Sequence, residues 1–157
     1  MKYMEILLWQ LRSRVPAVVA SLPAFPSANR LYRLTASDST HQFGPGMVFY
    51  NGTYWEAAGD NVYDLGDIGA AVTLASRSGG LRQMTWSEDP TITVPDPAGA
   101  GDGFILEIDN SGGFAPTWTA SINGDMETVT TGTVQLLFSA VGNGTSWEVT
   151  VLSEVTA

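Results

Sequence analysis

Hydrophobic and polar positions alternate with a period of two over most of this chain, and the strongest local pattern occurs twice. Asn51-Gly52-Thr53-Tyr54-Trp55-Glu56 and Asn143-Gly144-Thr145-Ser146-Trp147-Glu148 are nearly the same words, each preceded by strand-like residues. Asn-Gly suits a two-residue type I′ turn, which needs positive φ at both central positions. A Trp three residues after the Gly then falls on the returning strand, where it covers an apolar face. Both places therefore read as β-hairpins closed by a Trp.

The same alternation predicts strands over 31–35, 46–50 with 53–57, 81–86, 91–94, 103–109, 117–122, 134–138 and 147–152. In the 103–109 stretch Phe104, Leu106 and Ile108 share one face and Ile105 the other. Residues 36–45 read as a loop, and 59–80 as a connector with one or two short strands around Val72 to Ser76. Short strands at regular spacing, broken by Pro- and Gly-rich loops at 95–103 and 110–116, predict a β-sandwich or jelly roll.

Only the start of the chain departs from this period. Met1, Met4, Leu8, Leu11, Val15, Val18 and Leu22 follow a 3-4 spacing, the a/d pattern of a coiled-coil seam. Pro16 stops or kinks a helix near Arg14, which limits it to two heptads, and Pro16, Pro23 and Pro26 then make an extended connector. Two heptads do not stand alone. They suit a short helix that packs on its own domain or on a partner. The expected fold is all-β, sandwich- or jelly-roll-like, with a short N-terminal helix. Its parts are a helical anchor and connector over residues 1–26, a small β-hairpin region over 27–80 and a β-sandwich over 81–157.

At 157 residues the chain is long enough for one real core, or two very small ones. Only 15% of residues are charged, and the net charge of −9 is unevenly spread. Residues 1–33 carry +4 and the remainder −13. A basic arm beside an acidic body points to an acidic partner for the arm and away from nucleic-acid binding by the body. The arm has too few Lys and Arg for a nucleic-acid module. Glu5, Arg12 and Arg14 interrupt any signal-peptide core, and no stretch approaches the ~20 apolar residues of a membrane span.

Candidate chemistry is thin. There is no Cys, which excludes disulfides and thiolate zinc sites, and the one histidine, His41, sits in a polar loop with Asp38 as its nearest carboxylate. Glu88-Asp89 and Asp125 with Glu127 are paired carboxylates of the type a glycosidase uses, but acidic turns explain them. The Gly99-Ala100-Gly101-Asp102-Gly103 stretch precedes a strand, whereas a phosphate loop opens a helix. Asp96, Asp102 and Asp125 are loop carboxylates of the kind Ca²⁺ takes, without EF-hand spacing. The expectation is therefore no catalytic residue, no metal and no cofactor.

The second half resembles a module of bacteriophage tail and virion proteins. It runs as a strand and Pro/Ala/Gly turn (Thr91-Ile92-Thr93-Val94-Pro95-Asp96-Pro97-Ala98), a Gly-aromatic strand (102–110), a Gly112-Gly113 loop, Thr117-Trp118, and the hairpin of 143–147. Residues 26–34 leading into the hairpin of 46–55 are similar to a phage-fibre motif. Together the two cover about residues 26–153. Glycine-rich repeat arrays and long coiled coils, usual in such fibres, are missing, which favours a short structural subunit.

The resemblance implies a non-enzymatic virion structural protein of the tail, fibre, baseplate or capsid surface, assembled in the host cytoplasm. It would be held to other virion proteins by an arm whose anchor residues are Met1, Met4, Leu8, Leu11 and Val15. It would self-associate through its β body, as a trimer if it follows phage appendages of this kind. A different reading is a carbohydrate-binding module that recognises host surface glycans by stacking sugars on Tyr50, Tyr54, Trp55 and Tyr63. A glycan hydrolase fragment is the third.

Overall fold

The computed structural model describes residues 16–58, 61–75, 79–123, 131–142 and 144–156. Twelve strands and no helix occur among them: β1 (Ala17–Val19), β2 (Arg30–Leu34), β3 (Gly46–Tyr50), β4 (Trp55–Ala58), β5 (Val62–Ile68), β6 (Ala71–Thr73), β7 (Leu81–Trp86), β8 (Thr91–Thr93), β9 (Gly103–Asn110), β10 (Thr117–Thr119), β11 (Gly132–Ala140) and β12 (Trp147–Thr156). The all-β expectation holds. The helix expected at the start, with Met1, Met4, Leu8, Leu11 and Val15, lies outside the described residues.

Strands β1 to β4 form one sheet in chain order, with β1 and β2 parallel and the rest antiparallel. Its core is Leu22, Tyr32, Leu34, Phe43, Val48 and Trp55. The β3–β4 hairpin is present and Trp55 opens the returning strand, but its turn differs from the expected one. Tyr50 pairs with Trp55, so four residues form the loop, and Gly52 has positive φ (107°) while Asn51 does not. Asn51 instead caps the loop from its side chain, Oδ1 accepting from Thr53 N–H (2.8 Å) and Tyr54 N–H (3.0 Å). An Asx-type bond replaces the strained left-handed backbone at a non-Gly residue.

The other eight strands make two sheets around a second core. One has the order β12-β11-β9-β7-β5, the other β10-β8-β6. From β5 to β10 the chain alternates between them, each pass adding one strand to each sheet. Strands β5, β7 and β9 therefore stack in parallel, as do β6, β8 and β10. A parallel pair needs a crossover connection, and the strand of the opposite sheet supplies it. The two sheets face one another as in a sandwich. Their parallel winding differs from a jelly roll, whose strands run antiparallel.

Each pass repeats the same side-chain assignment. Val72, Ile92 and Trp118 stand in register at the centres of β6, β8 and β10. They pack towards Met84, Trp86, Leu106, Ile108 and Phe138 of the facing sheet, with Trp118 edge-on to Trp86 at 6.4 Å. The β11–β12 hairpin adds antiparallel strands to the last parallel one, β9, and Trp147 closes it as expected. The hydrogen-bonded boundary between the first sheet and this body lies between Ala58 and Val62, not at Gly79-Gly80, because β5 and β6 pair with strands of residues 81–157.

Two side-chain amides join the parts. Asn61, 1% exposed, accepts from Gly44 N–H (2.9 Å) and donates to Gly44 C=O (2.8 Å). Gln42 donates to Thr73 C=O (2.9 Å) and accepts from Ala75 N–H (2.8 Å), extending β6 by one amide. Each imitates a backbone ladder where the sheets cannot continue.

Candidate assembly surface

The inner face of the five-stranded sheet is the core, so its outer face is where the sequence decides what the body shows. Alternation on β7, β9 and β11 turns Leu81, Ile105 and Leu137 outward because Arg82, Phe104, Leu106, Leu136 and Phe138 turn inward. The registers place Val62, Leu81, Ile105 and Leu137 side by side, one per strand, across β5, β7, β9 and β11. This row lines a cavity of about 530 Å³ together with Asn61, Gly79, Gly80, Gly103 and Phe104. Val62 is 42% exposed and the other three are half-buried.

Two residues further along each strand the face becomes polar. Asp64, Gln83, Glu107, Gln135 and Ser153 form the next row. Glu107 accepts from Gln83 Nε2 (2.7 Å) at one oxygen and from Gln135 Nε2 (2.5 Å) at the other. Ser153 Oγ donates to Gln135 Oε1 at 3.3 Å. Asp67, Thr85, Asp109, Thr133 and Val155 make the third row. A polar cleft of about 280 Å³ lies over Asp64, Gln83, Thr85, Glu107, Asp109 and Thr133.

Asp64, Asp67, Glu107 and Asp109 thus crowd one face, and none is ion-paired among the described residues. The five strands hold one basic residue, Arg82, and it points inward. Arg82 is fully buried, donates to Ala75 C=O (2.6 Å) and stands 4.2 Å over the Phe104 ring. The outer face is therefore acidic beside an apolar trough. Leu152, at the bulge of β12, and Val155 add exposed apolar surface (47% and 66%) at its edge.

The aromatic residues that suggested a sugar platform are placed otherwise. Trp55 is 7% exposed, edge-on to Tyr32 at 5.3 Å and tilted against Tyr50 at 5.0 Å, so it presents little ring to a sugar. Tyr50 and Tyr54 are half-buried on the same hairpin, Tyr50 Oη donating to Gly52 C=O. Tyr63 is on β5, in register with the buried Arg82.

The loop carboxylates have structural work. Asp38 Oδ2 accepts from Leu22 N–H (3.0 Å), and its Oδ1 from His41 N–H (3.0 Å) with the His41 ring at 3.1 Å. Burial pushes the Asp38 carboxyl up, but the Leu22 and His41 bonds and the His41 charge outweigh it, leaving it below its ordinary value. Asp102 accepts from Ala98 and Gly103 N–H (both 2.8 Å), Asp89 from Ala115 N–H (2.8 Å), and Asp96 from Ser121 Oγ (2.6 Å). Asp125 and Glu127 lie outside the described residues. Among the described residues no three His, Asp or Glu gather as a metal site would require.

No protein-family model matches the chain, and no characterised protein matches it in sequence.

The outer-face trough is the feature that strand reading passed over. Its signal was present: an apolar residue on the outward beat of three successive strands, Leu81, Ile105 and Leu137. What hid it was register, which decides whether such residues meet and which no single strand reveals.

Proposed function

We propose that this chain is a non-enzymatic structural subunit of a bacteriophage virion, part of a tail, fibre, baseplate or capsid surface. It joins other virion proteins through its N-terminal arm and copies of itself through its β body. The observation that carries this reading is the row of Val62, Leu81, Ile105 and Leu137, an apolar trough on the outer face of the body. An outward apolar strip across four strands costs solubility unless another surface covers it. The resemblance of residues 26–153 to phage tail and fibre modules points to an assembled particle as the place where it is covered. Symmetric association of small β units through leftover apolar faces is the mechanism, with a trimer as the expected closed form.

Two measurements test it. Sedimentation of the full chain over a concentration series should show a closed oligomer; a monomer at high micromolar concentration refutes self-association. Mass spectrometry of purified virions from cells that make the chain should find it at the copy number of a structural component. Particles that lack it refute the virion role.

A further inference from the structure

We infer that the occupant of the outer-face trough is the N-terminal arm, residues 1–15, of a neighbouring copy of this chain. The inference rests on the self-association reading above and names the surfaces that meet. Residues 1–15 lie outside the described part of the structure, and their sequence supplies what the trough lacks. On the helix that their 3-4 spacing predicts, Met1, Met4, Leu8, Leu11 and Val15 fall on one stripe, with Arg12 and Arg14 flanking it on either side.

Lengths agree. Strands sit ~4.8 Å apart, so the row from Val62 to Leu137 spans about 14 Å and the whole five-stranded sheet about 19 Å. A helix rises 1.5 Å per residue, so the stripe from Met1 to Val15 runs about 21 Å. Laid across the strands, the stripe covers the apolar row from end to end.

Charges agree as well. Lys2, Arg12 and Arg14 against Glu5 leave the arm basic. One strand pitch along from the apolar row, about 6.6 Å away, lie Asp64 and Glu107, with Asp67 and Asp109 beyond. The outer face of the sheet offers these carboxylates no basic residue of its own among the described strands. A helix seated on the apolar row sets one flanking arginine, Arg12 or Arg14 according to its direction, over the carboxylates. Reversing the helix carries Arg12 and Arg14 to the other end of the row. Exchange of arms between copies gives each body one arm and each arm one body, the arrangement that closes a ring.

The chain contains no Cys, so introduced thiols report without background. Full-length Leu8→Cys and full-length Ile105→Cys are mixed and oxidised, with Leu8→Cys plus Phe25→Cys as the control, since Phe25 is 96% exposed and away from the sheet strands. The expected result is a mixed disulfide dimer formed at least tenfold faster than in the control, slowed severalfold between 0.1 M and 1 M salt as the Debye length falls from ~10 to ~3 Å. Arg12→Glu with Arg14→Glu should slow it similarly, and thermal midpoints of the Cys variants should stay at the wild-type value. Three results would overturn the inference. They are a mixed dimer no faster than the control, a rate indifferent to salt, and, in a chain that carries both Leu8→Cys and Ile105→Cys, a disulfide that forms only within one chain. Sedimentation of the same samples separates the two readings. Oligomers without the crosslink defeat the arm's seat alone, and monomers defeat self-association with it.

Discussion

Replacing Trp147 with Ala should remove the fastening that holds the C-terminal hairpin over the core. Trp147 is 2% exposed, edge-on to Phe104 at 5.4 Å and to Phe138 at 6.1 Å, and those two rings stack on each other at 4.7 Å. Its Nε1–H donates to Pro95 C=O (2.8 Å), and its backbone bonds Ser121 and Asn123, in the segment that follows β10 (both 2.7 Å). Truncating a buried Trp costs ~3–5 kcal/mol in lost transfer energy and cavity. Stranding the Pro95 carbonyl adds ~1–3 kcal/mol. The sum, about 4–8 kcal/mol, rivals the whole stability of a typical domain, ~5–15 kcal/mol. At ~2–4 °C per kcal/mol for a chain of this size, the thermal midpoint should fall by at least about 8 °C. Trp147→Phe keeps an aromatic ring in the site and loses the hydrogen bond, so it should cost only about 2 kcal/mol. Thermal and urea unfolding followed by circular dichroism measure the midpoint and the free energy, at one fixed protein concentration because association raises apparent stability. A Trp147→Ala midpoint within 2 °C of wild type, or a Phe variant as damaged as the Ala variant, would refute this account of the hairpin.

Gly44→Ala should destabilise by at least about 3 kcal/mol in the same assay, because a Cβ there would stand 1.7 Å from the Val62 carbonyl oxygen; wild-type stability would show that the two parts do not meet there. Asn61→Ala leaves both Gly44 backbone groups without their partner and should cost ~2–4 kcal/mol, with faster amide exchange at Gly44 as the readout. The lowered carboxyl of Asp38 adds stability that is present above its unfolded value near 3.8 and lost as pH falls through the lower folded value. The gap between wild type and Asp38→Asn should therefore be full at pH 7 and narrow as pH falls below about 4; a gap that stays constant with pH contradicts it. Ile105→Asp places a charge on the outer trough, not in the core, so it should lower association in sedimentation while shifting the midpoint of a dilute sample by about 2 °C or less.

Much of the strand content was legible because alternation is local. Phe104, Leu106 and Ile108 announce a half-buried strand whatever lies beside it. Two matters were not. The Asn51-Gly52 pair suits a two-residue turn, yet the loop takes four, since a side-chain bond from Asn51 competes with the left-handed backbone and wins. The connector of 59–80 hides a seven-residue strand, β5, because Asp64, Gly66 and Asp67 break its alternation at a bulge in this edge strand.

The winding was written as a weak repeat. Ala71-Val72-Thr73, Thr91-Ile92-Thr93 and Thr117-Trp118-Thr119 each put one larger apolar residue between two small ones, and they stack in register as β6, β8 and β10. A three-residue pattern with unequal spacing does not declare itself until its copies are seen side by side. The sequence by itself determined that the chain is all strand over its described body, where most strands run, which residues each turns inward and that a Trp closes each hairpin. Those properties depend on one residue and its near neighbours. Only the tertiary structure decided that successive strands change sheets, that strand pairing aligns Val62, Leu81, Ile105 and Leu137 into one trough, and that acids gather beside it. Register is a relation between strands ~20 residues apart, so a surface made from one residue per strand exists only once the strands are paired.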